Sequence, residues 1–166
     1  MRALVWIVED TWEATVAEAA AFLPADAEVT LLHVAAGDVE AIAGGARHGL
    51  LGRRPPKPGP RDRREPLRAI SDEAADQLLA DARERLGRDA RVVARRGRVE
   101  REVVAAAQDV DLLVLARDGD HTRLGPRSLG PHARFVVDHA PCRVLLVWPD
   151  APPAVDTIPP PPPPPR

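Results

Sequence analysis

The sequence predicts an α/β fold: a single open five-stranded parallel sheet, Rossmann-like, with strand order 3-2-1-4-5 and helices on both faces. Three observations predict it. Five short runs of apolar, β-favouring residues recur along the chain, separated by helix-forming stretches. The runs are nearly continuous rather than alternating, as strands buried on both faces require. Right-handed crossovers between parallel strands then place the intervening helices on both sides of the sheet.

The elements follow in order. Leu4-Val5-Trp6-Ile7-Val8 is the first strand, and Glu9-Asp10-Thr11 offers a helix start. Asp10 or Thr11 is the N-cap, with Glu13 completing a capping box, and an Ala-rich helix runs to Phe22 before Pro24. Val29 to Val34 is the second strand. From Gly37 to Pro66 the periodicity dissolves into a basic Pro/Gly-rich insertion, read as a solvated loop or a functional lid. Ile70, Ala74, Leu78, Ala82 and Leu86 restore a helical pattern, with Ser71 as cap and Gly87 as stop. Ala90 to Ala94 is a short third strand, and Gly97 opens a helix carrying Val99, Val103, Val104 and Ala107. Asp111 to Ala116, wholly apolar after its first residue, is the fourth strand and belongs at the sheet centre. A polar turn from Arg117 to Gly130, a helix near Ala133 to His139 and a fifth strand, Val144 to Trp148, complete one domain over residues 1–149. The tail, residues 150–166, contains seven consecutive prolines, Pro159 to Pro165, and reads as a disordered polyproline II extension outside the domain.

Composition narrows the function. Among 166 residues, 25 acidic side chains balance 23 basic ones, so the net charge of -2 gives no field suited to nucleic acid or a membrane surface. Aromatic residues are 3%, too few for base-stacking platforms. Cys142 stands alone, which excludes an intrachain disulfide and a thiolate zinc cluster. No apolar stretch is long enough to span a membrane, and Glu9 and Asp10 interrupt the start before a secretory core could form. These features predict a cytoplasmic protein.

Ligands of open parallel sheets bind at the carboxyl ends of the strands where strand order reverses. That directs attention to Glu9, Val34 and the turn Ala116-Arg117-Asp118-Gly119-Asp120-His121-Thr122-Arg123-Leu124-Gly125-Pro126-Arg127-Ser128-Leu129-Gly130-Pro131-His132. This turn, the helix ending Asp138-His139-Ala140-Pro141-Cys142 and the final strand together resemble the last third of the universal stress protein family. The resemblance extends to Gly97-Arg98-Val99-Glu100 and Thr30-Leu31-Leu32-His33-Val34, and spans residues 1–36 and 67–149. It implies an ATP turn reading Gly, two residues, Gly, nine residues, Gly and then Ser or Thr, whose backbone cradles phosphate. Anchored on Gly130, that spacing falls on Arg117 and Asp120 where glycines belong, and on Pro131 where a hydroxyl belongs. Gly119 restores part of the pattern by a one-residue shift. Proline has neither hydroxyl nor amide hydrogen, and Asp120 repels phosphate, so ATP binding is expected to be weak or absent.

The resemblance also implies that Glu9 stands where an Asp meets the adenosine and that Val34 lines an adenine pocket. Glu9 is equally well read as a helix-start acid on the dipole. Arg117, Arg123, Arg127 and Arg134, with His121 and His132, crowd the same region as an anion-binding patch or simply an exposed basic loop. The ligand-binding candidates are therefore Glu9, Val34, Ala116, Arg117, Gly119, Arg127, Gly130 and His132, for an adenine nucleotide or nucleoside.

No catalytic constellation emerges. Ser128 lacks a nucleophile elbow, and the five histidines show no metal-ligand spacing. His33 reads as a hydrogen-bonded core histidine and Cys142 as a small buried residue. The resemblance thus implies a non-enzymatic regulatory or small-molecule-sensing module. A dimeric scaffold without nucleotide is the alternative, and a nucleotide-binding ATPase a further one. The apolar edge strand, Val144 to Trp148, is expected to join a homodimer, as the resemblance also implies.

Overall fold

A computed structural model describes residues 1–37 and 64–158. Five strands, β1 (Arg2–Ile7), β2 (Glu28–Ala36), β3 (Arg91–Gly97), β4 (Leu112–Ala116) and β5 (Arg143–Val147), form one sheet in the order β3-β2-β1-β4-β5. All neighbours are parallel; Val5 pairs with Leu31 on one side and Val114 on the other. Among the described residues four α-helices intervene: α1 (Trp12–Phe22), α2 (Arg64–Leu86), α3 (Val99–Ala106) and α4 (Pro131–His139). The predicted fold class and strand order are those observed.

The sheet has a core on each face because successive side chains of β1 point to opposite sides. Ala3, Val5 and Ile7 join Val16 and Ala19 of α1 and Leu79 and Ala82 of α2. Leu4 and Trp6 join Val103 of α3 and Ala133 and Val136 of α4. Burial on both faces explains why these strands read as unbroken apolar runs. Each fully buried Leu or Val contributes about 1.5–3 kcal/mol.

Several boundaries differ from the sequence reading. Thr11 is the N-cap of α1, but its side chain makes no cap bond and no capping box forms. The Thr11 and Trp12 amides instead donate to the Val8 carbonyl, which closes the turn from the backbone alone. Helix α2 begins at Arg64, so Ser71 lies within it rather than capping it, and Pro66 sits in the first turn where proline is tolerated. Arg64–Pro66 therefore leave the expected insertion, whose residues 38–63 lie outside the described residues. The buried stripe of α2 is Ala75, Leu79, Ala82 and Leu86, and Ile70 is 64% exposed. Steps of four advance about 40° beyond a full turn each, so a strict i, i+4 series drifts off one face. Gly87, at φ +68, ends the helix as its sequence position predicts.

The two sheet edges are unlike. β3 presents Arg91, Arg95 and Arg96, the last two paired with Glu102 at 3.4 Å and Asp72 at 2.6 Å. β5 presents half-buried Val144, Leu145 and Leu146. The segment expected to stand outside the domain touches it before the proline run, which itself lies outside the described residues: the Leu124 amide donates to Thr157 Oγ1 at 3.1 Å.

Candidate functional site

The chain leaves β1 toward β2 and enters β4 on the other side, so the order reverses between β1 and β4. Beside the carboxyl ends of these strands and of β2 lies a cleft of about 500 Å³. Trp6, Val8, Val34 and Val99 give it apolar walls, Ile70 and Ala74 of α2 one rim, and Glu9, His33, Asp118 and His132 its polar groups. A larger groove of about 720 Å³ opens at the amino ends of the strands. The cleft at the carboxyl ends is the candidate site, because there the strand order reverses and helix amino termini converge.

The turn after β4 is held by its own backbone. The Gly119 amide donates to the Ser128 carbonyl at 3.0 Å and the Asp120 amide to the Arg127 carbonyl at 2.8 Å. The two strands of the turn approach so closely that a Cβ on Gly119 would stand 2.3 Å from the Arg127 carbonyl oxygen, so glycine is required there. Gly125, at φ +120, opens the short 3₁₀ turn Pro126–Ser128 that carries the second strand of the turn. Buried Ser128 accepts a hydrogen bond from the Arg117 guanidinium and donates to the Gly125 carbonyl at 2.7 Å. Arg117 also lies over the Trp148 ring at 4.4 Å, and its Nε is buried without a partner. Desolvation pulls its pKa down from the ordinary arginine value. Asp118 points the other way, accepting the Gly130 amide at 2.6 Å where α4 begins.

Across the cleft, Glu100 near the start of α3 meets His132 near the start of α4 at 3.1 Å, with Arg98 3.0 Å from its second oxygen. The Glu100 side chain is 8% exposed. Burial alone would raise its pKa, but its own backbone amide, His132 and Arg98 outweigh that and hold the carboxyl below the ordinary value. His33 Nδ1–H donates to the Ile7 carbonyl, 3.0 Å away, which pins β2 to β1 at the cleft floor. Half-buried Cys142 packs under β4 and β5, and desolvation raises its thiol pKa, which disfavours the thiolate. Among the described residues no group of three His, Cys, Asp or Glu side chains could hold a metal ion, and no helix is long and apolar enough to cross a membrane.

Of the predicted ligand residues, Glu9, Val34 and His132 line the cleft. Ala116 is buried in the core beneath α1, Arg117 is turned toward Trp148, and Gly119 is closed against Arg127. Arg127 enters the turn through its carbonyl, and the Gly130 amide is occupied by Asp118. Asp118 and Glu100 escaped the sequence reading. An acid two residues past an apolar strand, next to glycine, was the available signal for Asp118; Glu100 looked like an ordinary first-turn acid.

The sequence pattern of the universal stress protein family matches residues 4–147. No curated protein matches significantly. Among solved structures, a hypothetical protein whose biochemical function was assigned from its structure has a TM-score of 0.62 at 21% identity, covering 89% of this chain and 94% of that one. A universal stress protein in complex with cAMP gives 0.56 at 14% identity over 90% and 98%. A universal stress protein family protein from Arabidopsis thaliana with AMP bound gives 0.57 at 16% over 91% and 93%. Identities this low speak for a common fold alone, whereas the family pattern runs through every strand from β1 to β5: the chain belongs to the universal stress protein family.

Proposed function

We propose that this protein is a non-catalytic, small-molecule-sensing regulatory module whose cleft takes an adenine nucleoside or nucleotide, with weak or absent ATP binding. The observation that carries the reading is the cleft itself: about 500 Å³, apolar at Trp6, Val34 and Val99, with a few converging polar groups at its mouth. That is the make-up of a small-ligand site, and its volume suits a purine riboside. Two proteins of like fold, bound to cAMP and AMP, support the adenine assignment. Weak ATP binding follows from the turn, where the amides of Gly119 and Asp120 already serve carbonyls of the turn and Pro131 has none to offer.

Calorimetry of the full chain with adenosine, AMP and ATP tests this. Binding of an adenine ligand, with ATP the weakest, is expected; micromolar ATP affinity would overturn the reading of the turn. Val34→Trp should abolish whatever binding is seen, since it fills the cleft wall. A dimeric scaffold that takes no nucleotide is the second reading, favoured by the half-buried Val144, Leu145 and Leu146 on the β5 edge. It predicts a dimer with a silent titration.

A further inference from the structure

The amino end of α4 points its first amides and its positive dipole end at the cleft, an arrangement that suits an anion. Here the chain supplies the anion itself. Asp118 Oδ1 takes the Gly130 N–H at 2.6 Å, and Pro131 contributes no N–H beyond it. The carboxylate of Asp118 also belongs to the cleft lining, together with Glu9, whereas no arginine of the turn is among the lining residues. Arg117 is committed to Ser128 and Trp148, and Arg123 to Asp120 at 3.1 Å. Among the described residues, the remaining titratable groups on the lining are His33, bonded to the Ile7 carbonyl, and His132, bonded to Glu100.

We infer that Asp118 is a built-in anion in the place a ligand phosphate would take, and that the cleft therefore selects a phosphate-free nucleoside over its 5′-nucleotide. This rests on the reading of the cleft as an adenine site. A 5′-phosphate brought to the mouth would meet the Asp118 and Glu9 carboxylates, and among the described residues no guanidinium lines the cleft to offset them; in a partly buried site such like charges repel strongly. A nucleoside brings only a hydroxyl there, which can donate to Asp118. A nucleoside carrying an amine at the same position would gain a charge-assisted bond.

The test is calorimetry of the full chain with three probes: adenosine, AMP and 5′-amino-5′-deoxyadenosine. Wild type is expected to bind adenosine about tenfold or more tighter than AMP, and the amine at least as tightly as adenosine. Asp118→Asn keeps an acceptor for the Gly130 amide but removes the charge, so it should narrow the gap between adenosine and AMP about tenfold, chiefly by tightening AMP. AMP binding as tight as adenosine in wild type, or an amine that binds more weakly than adenosine, overturns the inference while the adenine reading stands. If none of the three probes binds, the adenine reading fails and the inference falls with it. The wild-type comparison needs no variant, so a poorly folded Asp118→Asn protein would not shield the proposal.

Discussion

Glu100 and His132 stand 3.1 Å apart, Oε2 to Nδ1, and tie the first turn of α3 to the first turn of α4 beside the cleft. Because Glu100 is almost fully buried, deleting its charge removes the carboxylate that His132 and Arg98 both face. Glu100→Gln should cost about 1–3 kcal/mol, read from urea unfolding at neutral pH.

The same pair sets an acid limit. Folding holds the Glu100 carboxyl below its ordinary value of 4.5, so the folded state favours the charged form. Its contribution is complete above that value and is lost as pH falls through the lower folded value. The urea midpoint of wild type should therefore fall more steeply below about pH 4.5 than that of Glu100→Gln. Parallel acid profiles for the two proteins would remove Glu100 as the cause.

Gly119→Ala should be among the most damaging changes on the surface of the domain. A methyl there meets the Arg127 carbonyl oxygen at 2.3 Å, and backbone cannot step aside as a flexible side chain could. A loss of about 1–3 kcal/mol is expected, visible as a lower thermal midpoint.

The phase of α2 gives a graded series. Leu79→Ala should cost about 2–5 kcal/mol because Leu79 is fully buried, whereas Ile70→Ala should leave stability within about 0.5 kcal/mol. Leu78→Ala, at the rim of the stripe, should fall between. Chemical denaturation of the three variants checks the order.

A homodimer along β5 is expected from its apolar edge, with half-buried Trp148 just beyond it. Light scattering of the wild type should return twice the chain mass. Leu146→Lys should return the chain mass, because a buried, unpaired lysine opposes edge pairing.

The sheet was legible because burial on both faces leaves a mark that depends on no distant residue: Leu113, Val114 and Leu115 can only be a central strand. The cleft was legible as a place, through Glu9 and Val34 at strand ends. What escaped were directions of side chains and phases of helices. Arg117 and Asp118 are adjacent in sequence, yet one turns to Trp148 and the other to the cleft, and only the packed turn decides which. The start of α2 was missed because Arg64 and Glu65 carry no apolar signal and Pro66 suggested a stop. Ile70, apolar but exposed, then pulled the expected stripe one residue out of phase.

The unlike edges of the sheet set a rule for assembly. Arg91, Arg95 and Arg96 line the β3 border, and the last two are anchored by ion pairs to neighbouring helices, so that border resists a further strand. The β5 border carries no such guard along Val144, Leu145 and Leu146. A ribbon with one receptive margin and one guarded margin can add a single neighbour and then has nowhere left to grow. Edge-to-edge association is therefore expected to stop at two copies, with three arginines on the far side of the molecule opposing an open-ended fibre.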